Sequence, residues 1–262
     1  MDFTRYRTIR IDRRGRVLTL TLNRPDKLNA VDRLMHAELA TIFADAAADP
    51  DSDVVVLTGA GRAFCAGGDI GWMQEMIDHG FAETAREAKQ IVNSLLDCEK
   101  PLIARLNGHA TGLGATIALF CDVVFAADHA RIGDPHVSIG LTAGDGGAIV
   151  WPQLIGYARA KEYLLTGDLI QAPDAARIGL INRAVPAAQL DAEVDAFADR
   201  MASGARVAIR TTKRAINLGL KQIAAALLDA GLAFESESNA SADHREAVAA
   251  FREGRKPTFK GA

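Results

Sequence analysis

A chain of 262 residues is long enough to bury a large core, as one big domain or two small ones. Its 49% hydrophobic and 24% charged content is that of a globular protein. A net charge of −3 with both signs interspersed argues against a nucleic-acid binder, and no uncharged run reaches the roughly 18 residues of a membrane span.

The N-terminal stretch, residues 1–16, is charged and lacks the apolar centre of a signal peptide. Residues 8–11 and 16–22 read as strands around a turn at Arg13-Arg14-Gly15. Residues 33–48 carry apolar side chains at helical spacing, with Asp32 placed to cap them. Residues 54–57 form a fully apolar run, the pattern of a strand buried on both faces. A helix over 81–96, a strand over 102–106, a buried helix over 114–120 and a strand over 123–126 follow, and this alternation implies an α/β layered fold. From residue 174 onward the pattern turns helical: 174–178, 188–203, 207–219 and about 223–251. Glu235 and Glu237 on the last of these are expected at solvent or a subunit interface, and Trp151 in a core or interface. There is no 20–50-residue repeat and no linker. Cys65, Cys98 and Cys121 form neither a disulfide framework nor a metal-ligand pattern. Reduced thiols in a cytoplasmic protein without a metal are expected, with Cys65 a small packing residue.

Two segments carry the chemistry: Arg62-Ala63-Phe64-Cys65-Ala66-Gly67-Gly68-Asp69-Ile70 and Asn107-Gly108-His109-Ala110-Thr111-Gly112-Leu113-Gly114-Ala115. Each follows a strand-like run and is rich in small residues where a helix should begin. N–H groups at a helix start lack intrahelical partners and are free to bind an anion or a polarised carbonyl. Brought together, two such turns make an oxyanion hole, and small residues let a ligand reach the backbone.

These segments resemble the enoyl-CoA hydratase/isomerase, or crotonase, superfamily. The resemblance extends through Asn23-Arg24-Pro25-Asp26-Lys27-Leu28-Asn29-Ala30, Val54-Val55-Val56-Leu57-Thr58-Gly59, Cys121-Asp122, Leu165-Thr166-Gly167-Asp168 and the tail from Phe251 to Phe259. It implies a spiral of ββα units over residues 1–195, then a C-terminal helical region, 196–262, that builds a homotrimer or a dimer of trimers. It implies an acyl-CoA substrate, with coenzyme A as part of the thioester and no tightly bound cofactor. It puts the thioester oxygen between the N–H groups of Gly68 and Leu113. Lys27, Leu28, Ala30, Ala66, Gly67, Asp69 and Ile70 then belong to the coenzyme A and substrate site, and Phe259 and Lys260 to a tail that contacts coenzyme A. Asp69 caps a helix or faces solvent; it does no acid–base work. The acyl pocket is expected to draw its walls from about residues 72–88.

The chain departs from the hydratase pattern at the acid–base groups. Where typical hydratases have two glutamates, Thr116 and His136 stand here, and a threonine is no general base near neutral pH. His136 and Asp145 can replace that machinery, the aspartate orienting the imidazole or moving a proton itself. His109 could also approach the site, though packing is favoured for it, and Asp122 orients local backbone. The run from Asp134 to Pro152 is also similar to the His/Asp region of 6-oxocamphor hydrolase. Three functions follow: an acyl-CoA enzyme outside two-glutamate hydration, a hydrolase of a β-dicarbonyl C–C bond, or a coenzyme A-binding homologue without chemistry.

Overall fold

The structure, a computed structural model, describes residues 1–261. An antiparallel hairpin of β1 (Ile9–Arg14) and β2 (Val17–Leu22) opens the chain, turning at Gly15-Arg16 rather than at 13–15 because Gly15 takes the left-handed φ of +56°. Then come α1 (Arg33–Ala48), β3 (Val54–Gly59), α2 (Ile70–His79), α3 (Ala82–Asp97), β4 (Leu102–Leu106), β5 (Ala110–Thr111), α4 (Leu113–Leu119), β6 (Val123–Ala127) and β7 (Arg131–Gly133). The chain closes with α5 (Gly147–Thr166), β8 (Ile170–Gln171), α6 (Ala172–Arg177), β9 (Arg183–Val185), α7 (Leu190–Ala202), α8 (Arg206–Asn239) and α9 (Ala242–Glu253).

A six-stranded sheet runs β1-β2-β3-β4-β6-β9, parallel after the first hairpin, and a smaller sheet runs β5-β7-β8. Each winding of the chain repeats one move. A long strand joins the large sheet, a short extended step joins the second layer, and a helix follows. The short steps are stacked: Val31 bridges Gly68, Cys65 bridges Ala110, and β5 pairs with β7, all in parallel. This is the ββα spiral, and it stacks the chain's Gly-rich steps on one another.

The apolar run of β3 is explained by burial on both faces. Val55 and Leu57 enter the main core with Phe43, Phe64 and Trp151, while Val54 and Val56 pack with Val194 and Ala198 of α7. Asp32 caps α1 as expected, accepting from the Met35 N–H at 2.9 Å. Residue 195 lies within α7.

The C-terminal helices differ from expectation. The predicted break near Gly219 is absent, and α8 runs unbroken for 34 residues. A helical glycine costs about 1 kcal/mol, too little to end a helix packed on α3, α5 and α9. The break comes instead at Ala240-Ser241, where Ser241 caps α9 by accepting from the His244 N–H. By length and composition α8 is apolar enough to cross a membrane, but here it lays Ala224, Leu228 and Leu232 into the core.

Candidate active site

The Lys27–Ala30 segment is held rigidly against the first Gly-rich turn. Leu28 and Asn29 both take left-handed backbone angles, φ 52° and 55°, which is strained for residues with side chains. The buried Asn29 amide compensates by donating to the carbonyls of Ala60 and Ala63 at 2.9 Å each. The Ala66 N–H donates to the Leu28 carbonyl. Asp69 accepts from the Gly71 N–H at 2.9 Å and pairs with Arg24, so it is the cap of α2, as its position implied.

The second turn lies directly against the first. Thr111 N–H donates to the Cys65 carbonyl. A methyl group on Gly114 would fall 2.6 Å from Cys65 Cβ, and one on Gly112 would sit 3.6 Å from Gly67 Cα and 3.7 Å from His136 Cε1. The turns and the histidine therefore meet at Gly112, where the left-handed φ of +54° calls for glycine, while at Gly114 only glycine permits the close approach. Among the described residues, neither the Gly68 nor the Leu113 N–H has a hydrogen-bond acceptor within the protein. The Leu113 side chain belongs to the main core. Cys65 is buried and its thiol is pushed up to about 12 by burial, against a Gly67 N–H that favours the thiolate; it packs, as expected.

A cavity of about 410 Å³ opens here, lined by Lys27, Ala30, Ala66, Gly67, Gly68, Asp69, Ile70, Thr111, Gly112 and His136, with Met73, Pro135, Ile139 and Phe251 as further walls. Of the wall expected over 72–88, Met73 alone contributes; Trp72 packs against His36 instead, with 4.8 Å between ring centroids and the rings tilted by 44°. Leu28 supports the cavity from outside it. Phe259 is partly exposed and Lys260 is pinned by its N–H to Asp243, and neither lines the cavity. His109 is exposed and accepts the Arg131 N–H, outside the site. Asp122 accepts from the Leu102 N–H and pairs with Lys213 at 2.7 Å, orienting backbone.

Behind the cavity wall lies a buried cluster. The spacing Asp134-Pro135-His136 on a short 3-10 turn brings Asp134 onto His136 Nδ1. Asp145 lies 3.9 Å from Nε2 and accepts from Thr116 Oγ1 at 3.2 Å. The aspartate that orients the ring is therefore Asp134, not Asp145 alone. Glu235 corrects a second expectation: it is 5% exposed and its charge acts on His136 from α8, while Glu237 does face solvent. Asp134, His136 and Asp145 offer ligand atoms within 4.8 Å of one another, a donor set able to hold a cation. A protonated ring, however, has no lone pair to give a metal.

Burial works against a charged His136, but Asp134, Asp145, the Nδ1 hydrogen bond and Glu235 outweigh it and raise its pKa well above the usual histidine value. Burial pushes Asp145 upward, with Asp134 adding to it and His136 opposing. Burial, then Asp145 and Asp134, push Glu235 well above the carboxylate range. All three bind protons more tightly when folded. Each therefore contributes stability that is complete below its unfolded pKa and is lost as pH rises through its folded pKa. The melting temperature should fall as pH rises from about 6.5, the unfolded histidine value, into the alkaline range, and Glu235→Gln should flatten part of that fall. Calorimetric melts showing a rise over this interval would contradict these assignments.

A ββα spiral that sets two glycine turns over one cavity defines a protein of the crotonase fold. Comparison agrees. The sequence matches the family described as Enoyl-CoA hydratase/isomerase over residues 12–262. A short-chain enoyl-CoA hydratase of Clostridium acetobutylicum is 36% identical over 251 residues, covering 94% of this chain and 95% of that protein. A crotonyl-CoA hydratase of Syntrophomonas wolfei is 33% identical over 259 residues, covering 97% and 98%. The crystal structure of an enoyl-CoA hydratase/isomerase from Mycobacterium paratuberculosis superposes with a TM-score of 0.89 at 38% identity, covering 92% of this chain and 97% of that one. The chain belongs to the enoyl-CoA hydratase/isomerase family and is an enzyme of that family.

Proposed function

We propose that this enzyme processes an acyl-CoA thioester through an enolate held by the N–H groups of Gly68 and Leu113, with His136 and Asp145 moving the proton. The observation that carries it is the meeting of both turns with His136 at Gly112, beside one cavity. As an α-proton leaves, or a nucleophile adds, charge grows on the thioester oxygen, and preorganised donors there are worth about 3–4 kcal/mol each. Asp145 and His136 Nε2 face each other, so one proton can rest on the carboxyl or on the ring, and a raised carboxylate pKa makes Asp145 a stronger base. Lys27, exposed at the cavity mouth, suits the phosphates of coenzyme A. The apolar side chains exposed along α8, among them Val207, Ile216 and Phe234, support a homotrimer or dimer of trimers. Three buried free thiols support a cytoplasmic setting.

Two-glutamate hydration is not the expected reaction. Thr116 is fully buried and its hydroxyl is engaged with Asp145. Incubating butyryl-CoA with the enzyme in D₂O should load deuterium at the α-carbon, read by mass spectrometry. Crotonyl-CoA hydration, followed by loss of the enoyl-thioester absorbance, should run about 10²–10⁴-fold below an ordinary hydratase. Hydration on the order of 10³ s⁻¹ would overturn the non-hydratase assignment. Absence of both exchange and coenzyme A binding, with cleavage of a cyclic β-diketone, would favour the C–C hydrolase, which the Asp134–His136 pair also suits as a water-activating dyad.

A further inference from the structure

We propose that Glu235 is a positioning residue of the His136 site, sharing one proton with Asp145 and so setting the protonation of the carboxylate that serves the substrate. The proposal rests on the enolate chemistry above for its consequence, but not for its test.

The packing brings α8 flush against the loop that carries Asp145. A methyl group on Gly144 would lie 2.1 Å from the Gly231 carbonyl oxygen and 2.9 Å from Glu235 Cβ. The Thr142 N–H donates to Ser238 Oγ at 3.0 Å, fixing the same loop to the next turn of α8. Glu235 thus enters the cluster from a helix with no other role in the site, and its buried Oε2 has no hydrogen-bond partner among the described residues. A buried carboxyl oxygen without a partner is costly unless the group is neutral or donates.

The charged groups that act on it are Asp145 from the loop before α5 and Asp134 and His136 from the 3-10 turn; His244 of α9 lies near His136. His244 donates Nδ1–H to the Ile139 carbonyl at 2.7 Å, and burial keeps the ring neutral. α2 meets this stretch of α8 at the Met76 carbonyl, which accepts from Asn239. With His136 charged and paired with Asp134, ionising both Asp145 and Glu235 would leave two uncompensated negative charges out of water. One proton across the two carboxyls removes one of them, as in other buried carboxyl pairs. Asp145 then accepts a substrate proton while Glu235 retains the shared one, and no bond other than O–H changes.

Glu235→Gln keeps the shape and removes the shared proton. Infrared spectra of the wild-type enzyme at neutral pH should contain the carbonyl band of a protonated carboxylic acid, lost only on alkaline titration, and Glu235→Gln should lose that band. In butyryl-CoA exchange, Glu235→Gln should shift the limb of the pH profile that reports Asp145 by about one unit or more, roughly tenfold in rate at a fixed pH on that limb. Coenzyme A affinity should stay unchanged, and Glu235→Asp should restore part of the wild-type profile. An unchanged infrared band in Glu235→Gln, or a lower rate with an unshifted limb, overturns the proposal. If the variant does not fold, the wild-type titration decides alone: no protonated carboxyl at neutral pH sinks it. Failure of α-exchange in the wild-type enzyme, by contrast, removes the enolate reading and leaves the infrared result standing.

Discussion

His136→Ala and Asp145→Asn should each remove most of the activity on the true substrate, by about 10²–10⁴-fold, and the double variant should be little slower than either single one. Groups that act as one unit are strongly non-additive. In the proposed mechanism the unit is a proton resting either on Nε2 or on the carboxylate 3.9 Å away. With either partner gone, the other has no second resting place for that proton. Asp134→Asn should fall between wild type and these variants, because it leaves a hydrogen-bonding group at Nδ1 but removes the charge that keeps the ring protonated. Its pH profile should move toward lower pH, since a principal cause of the raised histidine pKa is gone. Coenzyme A binding by calorimetry should be nearly unchanged in all of them, since none supplies the amides of Gly68 and Leu113. Wild-type exchange rates in both single variants would make the pair structural.

Leu113→Pro should be about 10²–10³-fold slower than Leu113→Ala in the same exchange assay, the loss expected for one oxyanion donor. Leu113 is the first residue of α4, and proline is accepted at that position because its missing N–H would lack a helical partner anyway. Both variants lose the same buried leucine side chain, so its packing cost largely cancels in the ratio. What remains is the N–H itself. Equal rates in the two variants, both still folded by circular dichroism, would show that this amide holds no developing charge.

Much of the fold was legible because local rules and tertiary context agreed. α1 was readable from Asp32 and apolar spacing, and β3 from an unbroken apolar run that needs cover on both faces. α5 was not, because Pro152 lies inside it and Gly156, at φ 77° and ψ 158°, kinks it, masking the helical pattern. The break assigned near Gly219 failed for the opposite reason: a helix-weakening residue was overruled by packing that periodicity does not register. The short strands β5, β7 and β8 have two or three residues each, too few for any alternation to be seen.

At the site, the sequence alone determined the two glycine turns, the Lys27–Ala30 segment and the absence of glutamate at Thr116 and His136. Those features are local: a positive φ, a helix start or a missing carboxylate is written in a few adjacent residues. Asp134 was in view beside His136, but only the 3-10 turn decided that it, rather than Asp145 alone, holds the ring. Phe251 and Glu235 were decided wholly by tertiary structure. Each comes from a C-terminal helix, Glu235 99 residues and Phe251 115 residues beyond His136 along the chain, and each looks like an ordinary surface residue of an amphipathic helix. Whether a carboxylate on such a helix meets water or a buried imidazole depends on how the helix docks. Here that docking is set by the two glycines, Gly144 and Gly231, that let α8 lie directly on the active-site loop.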